Sequence, residues 1–326
     1  MDDKESFINN HEKAPLIELD DFRCPSKPNS FYVQTYDHKK IRIALWNKES
    51  NKGTILLQSG RTEFIEKYYE VIQEFIDREF CVVAMDWRGQ GLSDRTSNNI
   101  RLGHIDSFNE YDKDFETIIE KVYQHICPRP WIGFGHSMGG CLLATNFTKH
   151  ENNYRALILC APMLTMKVNI WIKRLTKLIV FLLPWLKRLP LSPPNWDKKQ
   201  GWLEEDFEQN NLTSDKYRFD RTFRLISKCP DLAVKGLSFG WVDEAFKRTE
   251  EFNYPDWGKN ITKPVLLLSA GKDILVDAGK NELICNSIPN SSISRINGKH
   301  ELLMEENDIR NETWKAIDEF LEKIYE

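Results

Sequence analysis

In the stretch Gly135-His136-Ser137-Met138-Gly139 one glycine stands two residues before a serine and another two residues after it. The apolar run Trp131-Ile132-Gly133-Phe134 leads in, and a helix-compatible run continues through Cys141 to about His150. This order predicts a strand, a tight turn and a helix in immediate succession. The turn is so sharp that side chains at the two glycine positions would drive the helix into the strand. The serine is then pushed off the end of a sheet with its hydroxyl exposed, and the helix N-terminus there favours developing negative charge.

The sheet that must hold this strand is legible elsewhere. Thr54-Ile55-Leu56-Leu57, residues 80–85, Ala156-Leu157-Ile158-Leu159-Cys160-Ala161 and Val265-Leu266-Leu267-Leu268 are continuously apolar, as strands buried on both faces are. Helical patterns at 65–78 and 108–127 alternate with them, and two more strand-like runs, 31–36 and 41–46, flank the polar turn Asp37-His38-Lys39-Lys40. Alternation of this kind predicts an α/β fold with a mostly parallel central sheet and helices on both faces. It stops between residues 163 and 257, a helical, tryptophan-rich and proline-punctuated segment. It resumes with the strand at 264–270, a helix at 278–287 and a strand at 292–296. The last helix places Ile309, Ala316, Ile317, Phe320, Leu321 and Ile324 at helical spacing. The expected organisation is an extended polar arm over 1–30, a core of 31–162 and 258–326, and an inserted helical cap over 163–257.

Net charge of −4 without a basic tail excludes a general attraction to nucleic acid. Seven dispersed cysteines without C-x-x-C spacing fit reduced thiols and a cytoplasmic setting better than a disulfide frame or a zinc site. The acidic start Asp2-Asp3-Lys4-Glu5 has no apolar run behind it, so a secretory signal is not expected.

A serine hydroxyl becomes a nucleophile only beside a base that a third group orients. When a serine sits on such a turn, the partners follow it along the chain as acid and then histidine. Two histidines lie after Ser137. His150 ends the helix that the serine begins, a helix length away, so His300 in Gly298-Lys299-His300-Glu301 is the candidate base. Asp273, in Gly271-Lys272-Asp273 after the strand at 264–270, is the candidate acid, and Asp277 is its rival as acid or helix cap. The backbone N–H of Met138 and one from the loop after the 54–57 strand, at Arg61, would form an oxyanion hole. The Arg61 guanidinium has two further readings, contact with a substrate phosphate or an ion pair with Glu63.

Ser59-Gly60-Arg61-Thr62-Glu63, Asp86-Trp87-Arg88-Gly89-Gln90-Gly91-Leu92-Ser93, Gly135-His136-Ser137-Met138-Gly139-Gly140, Ala161-Pro162-Met163 and Gly298-Lys299-His300-Glu301 together resemble a known group. They are similar to α/β-hydrolase-fold bacterial lysophospholipases, the branch akin to monoacylglycerol lipases. The resemblance implies an α/β-hydrolase fold, a triad of Ser137, Asp273 and His300, and an oxyanion hole from the amides of Arg61 and Met138. It also implies hydrolysis of one acyl chain from a lysophospholipid or related monoacyl glycerolipid through an acyl-enzyme, with no metal or organic cofactor. Monoacylglycerol lipase or general carboxylesterase activity is the alternative; a non-catalytic lipid-binding module is a third. Ser59-Gly60 stands where monoacylglycerol lipases usually carry His-Gly, which favours the lysophospholipase branch.

Residues 170–186 are the most apolar part of the chain, with cationic flanks and two tryptophans, Trp171 and Trp185. The uncharged run 178–186 is too short to cross a bilayer, which takes about 20 residues. Its composition suits either a cap helix over the site or peripheral contact with the inner face of a membrane. Arg218, Arg221 and Arg224 recur every third residue, as a solvated helical face or a phosphate contact.

Overall fold

The structure is a computed structural model describing residues 3–191, 206–254 and 257–326. The parts of the expected cap at 192–205 and 255–256 lie outside the described residues. The described strands, in chain order, are β1 (Asn29–Gln34), β2 (Lys40–Trp46), β3 (Thr54–Gln58), β4 (Cys81–Met85), β5 (Leu102–Gly103), β6 (Trp131–His136), β7 (Tyr154–Cys160), β8 (Gly236–Leu237), β9 (Val265–Ala270) and β10 (Ser291–Ile296). Eight of them form one sheet in the order β1-β2-β4-β3-β6-β7-β9-β10, and β5 pairs with β8 apart from it. β2 runs antiparallel to β1 and β4, and every pair from β4 to β10 is parallel.

Every residue of β3, β4, β6 and β9 is buried, and period-two alternation divides their side chains between two cores. Leu56, Val83, Leu157, Leu159 and Leu267 face one, with Phe115 and Leu143 from the helices Phe108–Ile118 and Ser137–His150. Ile55, Leu57, Val82, Phe134, Ile158 and Leu268 face the other, with Phe75 and Trp314 from the helices Tyr69–Asp77 and Asn307–Tyr325. With both faces covered, the reactive groups can gather only at the strand ends, which is where open α/β sheets place them.

Between β7 and its sheet neighbour β9 run the helices Ile170–Leu182, Lys216–Lys228 and Phe239–Phe252. The sequence of this stretch shows no clear strand. Its residues Gly236 and Leu237 nevertheless form β8, pairing with β5; two residues are too few to leave a periodic trace. The arm is likewise not wholly extended, because Asp3–Asn9 is helical. Acidic Asp3 and Glu5 sit favourably at its N-terminal end, and Phe7 stacks on His125 at 5.6 Å. Farther along the arm, Leu19 and Phe22 are buried.

Of the three spaced arginines, Arg218 and Arg221 are buried between elements, and Arg224 is exposed as a solvated helical face would have it. Arg218 donates to Glu70 at 2.6 and 2.9 Å and to Asp215 at 2.7 Å. Arg221 pairs with Glu70 at 3.0 Å and lies over the Phe22 ring, and Arg224 pairs with Asp21. Helical spacing shows which residues share a face but not what that face meets.

Candidate active site

β6 delivers Ser137 as the first residue of the helix Ser137–His150. Its φ of +50° is in the left-handed region, a costly conformation for a side-chain-bearing residue that persists only where the surroundings enforce it. The glycines around it show what enforces it. A Cβ on Gly135 would lie 2.6 Å from Gly140 Cα, and one on Gly139 would lie 2.3 Å from the Gln58 carbonyl oxygen. The helix therefore packs directly on β6 and on the end of β3, and Ser137 is left half-buried above them.

The structure brings Ser137, His300 and Asp273 together. His300 Nε2 is 2.9 Å from Ser137 Oγ, and His300 Nδ1 is 2.6 Å from Asp273 Oδ2. In the tautomer that donates from Nδ1 to Asp273, Nε2 accepts the serine proton. Asp273 lies just beyond β9, and its other oxygen accepts the N–H groups of Leu275 at 2.8 Å and Val276 at 3.1 Å. Burial pushes the Asp273 carboxyl up, but His300 and these two amides outweigh it and hold the group below its ordinary range. Asp277, the rival, caps the helix Ala278–Cys285 by accepting from Lys280 N at 3.1 Å. His150 is at the far end of its helix, 3.6 Å from Glu116.

The loop after β3 approaches the serine from the other side. A Cβ on Gly60 would come within 3.1 Å of Ser137 Cβ, so Gly60 is required by close approach. Gln90 clamps this loop: its Nε2 donates to the Gly60 carbonyl at 3.0 Å and its Oε1 accepts Thr62 N–H at 2.9 Å. Trp87 Nε1 adds a bond to the Ser59 carbonyl at 3.1 Å. The turn that carries both residues is anchored by Asp86, which accepts Arg42 Nε at 2.7 Å and the amides of Ile65 and Leu92. Met138 N–H belongs to the first helical turn, where amides have no partner within the helix. The Arg61 guanidinium rests over the Trp241 ring, 5.5 Å from its centroid. Glu63 takes Lys67 at 2.9 Å.

Known proteins resemble this chain in sequence and in fold. Residues 49–307 match the family model Hydrolase_4, described as serine aminopeptidase, S33, over well more than half of the chain. The chain belongs to the Hydrolase_4 family. Among relatives of this Hydrolase_4 member, lysophospholipase L2 of Escherichia coli K12 is 27% identical over 88% of this chain and 85% of that protein. A probable lysophospholipase L2 of Haemophilus influenzae is 28% identical over 82% of this chain and 83% of its own. A soluble variant of Saccharomyces cerevisiae monoglyceride lipase, solved with a substrate analogue, superposes with a TM-score of 0.71. It is 18% identical over 92% of this chain and 97% of its own, a likeness that speaks to the fold. The Hydrolase_4 chain thus has the α/β-hydrolase fold expected of it.

Sequence reasoning missed the groups that brace the site, namely Gln90, Glu63, Lys67, His136 and Glu301. Gln90 lay within a recognised motif, but its reach to Gly60 is 30 residues in sequence. Glu63, His136 and Glu301 also lay within recognised motifs, but their partners are 73 residues apart for His136 and Glu63 and 234 apart for Lys67 and Glu301.

Proposed function

We propose that this protein is a serine carboxylic ester hydrolase that removes the acyl chain of a lysophospholipid or a monoacylglycerol. The observation that carries the proposal is the unbroken relay from Asp273 through His300 to Ser137, seated on a strained turn at a helix N-terminus. Ser137 Oγ attacks the ester carbonyl while His300 Nε2 takes its proton. His300 then passes that proton to the leaving alcohol, and Asp273 stabilises the imidazolium in between. The amides of Met138 and Arg61 hold the tetrahedral oxyanion. Water, activated by the same histidine, clears the acyl-enzyme. Support for the substrate class comes from the names of the relatives, which match along more than four fifths of their length.

The division into an arm over 1–30, a core over 31–162 and 258–326, and a cap over 163–257 belongs to the same proposal, with the cap as the substrate-facing part. In the cap, the helix Ile170–Leu182 exposes Trp171, Leu175, Leu178 and Phe181, and Trp185 follows, with Trp171, Phe181 and Trp185 each at least 68% exposed. The opposite face is held down by Lys173 and Lys177, which pair with Glu250 at 2.9 and 2.7 Å. Among the described residues no helix is long and apolar enough to cross a membrane. Exposed aromatics beside Arg174, Lys187 and Arg188 suit a helix lying in the lipid interface at the inner face of a membrane.

The test is turnover across lysophosphatidylcholine, lysophosphatidylethanolamine, monoolein, p-nitrophenyl esters and an aminoacyl amide. Acyl release from the glycerolipids, with a fluorophosphonate label on Ser137, is the expected result. Cleavage of the amide alone would replace the ester reading with a peptidase one. For the membrane contact, Phe181→Ser with Trp185→Ser is expected to reduce co-sedimentation with anionic vesicles while leaving p-nitrophenyl ester turnover within about twofold. Equal vesicle binding by that variant and the wild type would remove the membrane contact and leave the chemistry standing.

A further inference from the structure

Directly beneath Ser137 lies a cluster of charged side chains that the reaction steps above do not use. Glu63, Lys67, His136 and Glu301 are all buried, walled by Phe134, Cys160, Leu303 and Met304. Glu63 is its centre. One carboxylate oxygen, Oε2, accepts Gly60 N–H at 2.5 Å, Tyr68 Oη at 2.6 Å and His136 Nδ1 at 3.0 Å. The other, Oε1, is 2.9 Å from Lys67 Nζ, which also donates to Glu301 at 2.6 Å. His136 reaches onward through Nε2 to the His300 carbonyl, 3.3 Å away, and its ring lies 4.9 Å from the His300 ring.

We propose that Glu63, through His136 and Lys67, is a positioning residue that locks the loop carrying the oxyanion amide and the loop carrying His300 into one frame around Ser137. The inference rests on the reading of Ser137 as the nucleophile.

Three physical arguments carry it. The first is direction. The peptide unit joining Gly60 to Arg61 is planar and trans, so its carbonyl and its N–H point opposite ways. Gln90 holds that carbonyl and Glu63 holds the preceding N–H, and together they aim Arg61 N–H. The second is strain. Thr62 stands at φ +64°, a poor conformation for a β-branched residue, so the loop needs an external hold to keep its shape. The third is charge. A buried ion cluster contributes little net stability over an apolar replacement, so packing alone gives no reason to keep one here. Burial works against the Glu63 charge, but Lys67, His136 and Tyr68 outweigh it and keep the carboxyl well below its ordinary range. Burial likewise opposes a charged His136, and Glu63 and Glu301 overcome it. An imidazolium can donate from both nitrogens, and His136 has an acceptor at each.

The deciding variant is Glu63→Gln, with Tyr68→Phe as a milder second. Readouts are kcat and KM on a p-nitrophenyl ester, the inhibition constant of a trifluoromethyl ketone, and the melting curve. The ketone forms a tetrahedral adduct on the serine and so reports the oxyanion amides, whereas KM for the ester does not. For Glu63→Gln we expect kcat to fall about 10–100-fold, KM to stay within about twofold, and the ketone to bind weaker in proportion to kcat. A folded Glu63→Gln enzyme with wild-type kcat and ketone affinity would overturn the proposal. If that variant does not fold, Tyr68→Phe decides. A rise in the ketone constant of about threefold or more supports the proposal, and an unchanged constant overturns it. Wild-type protein that takes no fluorophosphonate label on Ser137 would overturn the nucleophile reading itself.

Discussion

Among the described residues two Ser–His–Asp sets stand out, and their surroundings differ sharply. In the first, His300 lies between Ser137 and Asp273. In the second, His104 lies between Ser238 and Asp106, with Nδ1 2.8 Å from Ser238 Oγ and Nε2 3.1 Å from Asp106. The residue types and distances are alike; the surroundings are not. Ser137 is half-buried on a left-handed turn at the end of the central strand β6. Ser238 has ordinary extended backbone and no solvent exposure, and its oxygen is already accepting Trp241 N–H at 3.0 Å as a helix cap. Asp273 is buried and fixed by two amides, whereas Asp106 is about half exposed and pairs with Arg188. His104 is thus a pin joining the loop after β5 to the helix Phe239–Phe252. A nucleophile needs an open approach and a hydroxyl oxygen free to attack as well as a base, and Ser238, buried and holding a helix cap, has neither.

The comparison breaks most visibly at the serines. Ser137→Ala should lower kcat by about 10⁵-fold or more with the fold intact. Ser238→Ala should leave kcat within about twofold and lower stability by about 1 kcal/mol, the usual cost of a lost helix cap. Near-normal turnover by Ser137→Ala, or a dead Ser238→Ala enzyme that is still folded, would dissolve the distinction drawn above.

The acids come next. Asp273→Asn should cost about 10³–10⁴-fold in kcat, because the amide no longer holds the reactive tautomer of His300. Asp106→Asn should change kcat less than about twofold; a comparable loss in both variants would make the two sets equivalent.

Smaller still is the dependence of stability on pH. The folded state depresses the Asp273 carboxyl below its ordinary 3.8. Its stabilising contribution is therefore complete above that value and is lost as pH falls through the depressed one. His136 has the opposite sign. Raised above its ordinary 6.5 despite burial, by Glu63 and Glu301 and against Lys67, it contributes fully below 6.5. That contribution is lost as pH rises through the elevated value. Urea melts followed from neutral pH into the acid range below 3.8 and into the alkaline range above 6.5 should show both losses; Asp273→Asn should flatten the acid one and Glu63→Gln the alkaline one. An unaltered alkaline slope in Glu63→Gln would detach His136 from its carboxylate partner. The least effect is expected from Arg188→Ala, whose pair with Asp106 is exposed on both sides. Stability should move by about 0.5 kcal/mol or less, and a larger loss in thermal melts would make the pin a stronger fastening than its exposure implies.

The first set was readable in the sequence because its constraints are local or topological. Gly135 is demanded by Gly140, a few residues away, and Gly139 by the end of the neighbouring strand β3, while parallel strands present the serine, the acid and the histidine at the same end of the sheet. Its place just after the strand favours Asp273 over Asp277, and the structure has one facing His300 and the other capping a helix. The second set was invisible, since Ser238 lies 134 residues from His104. Glu63 and Lys67 were equally hidden, because a charged residue near the start of a helix reads as solvated until a partner is seen. Lys67 finds one in Glu301, 234 residues away.

What the sequence determined alone was therefore the alternation of buried strands with helices, the turn that raises Ser137, and the candidates able to act with it. These follow from sterics and hydrophobic period, which work over a few residues at a time. Tertiary structure decided which carboxylates are buried, which loops brace the serine, and which arginines tie one element to another. Burial and pairing set the energy of a charge, and neither exists until distant segments meet.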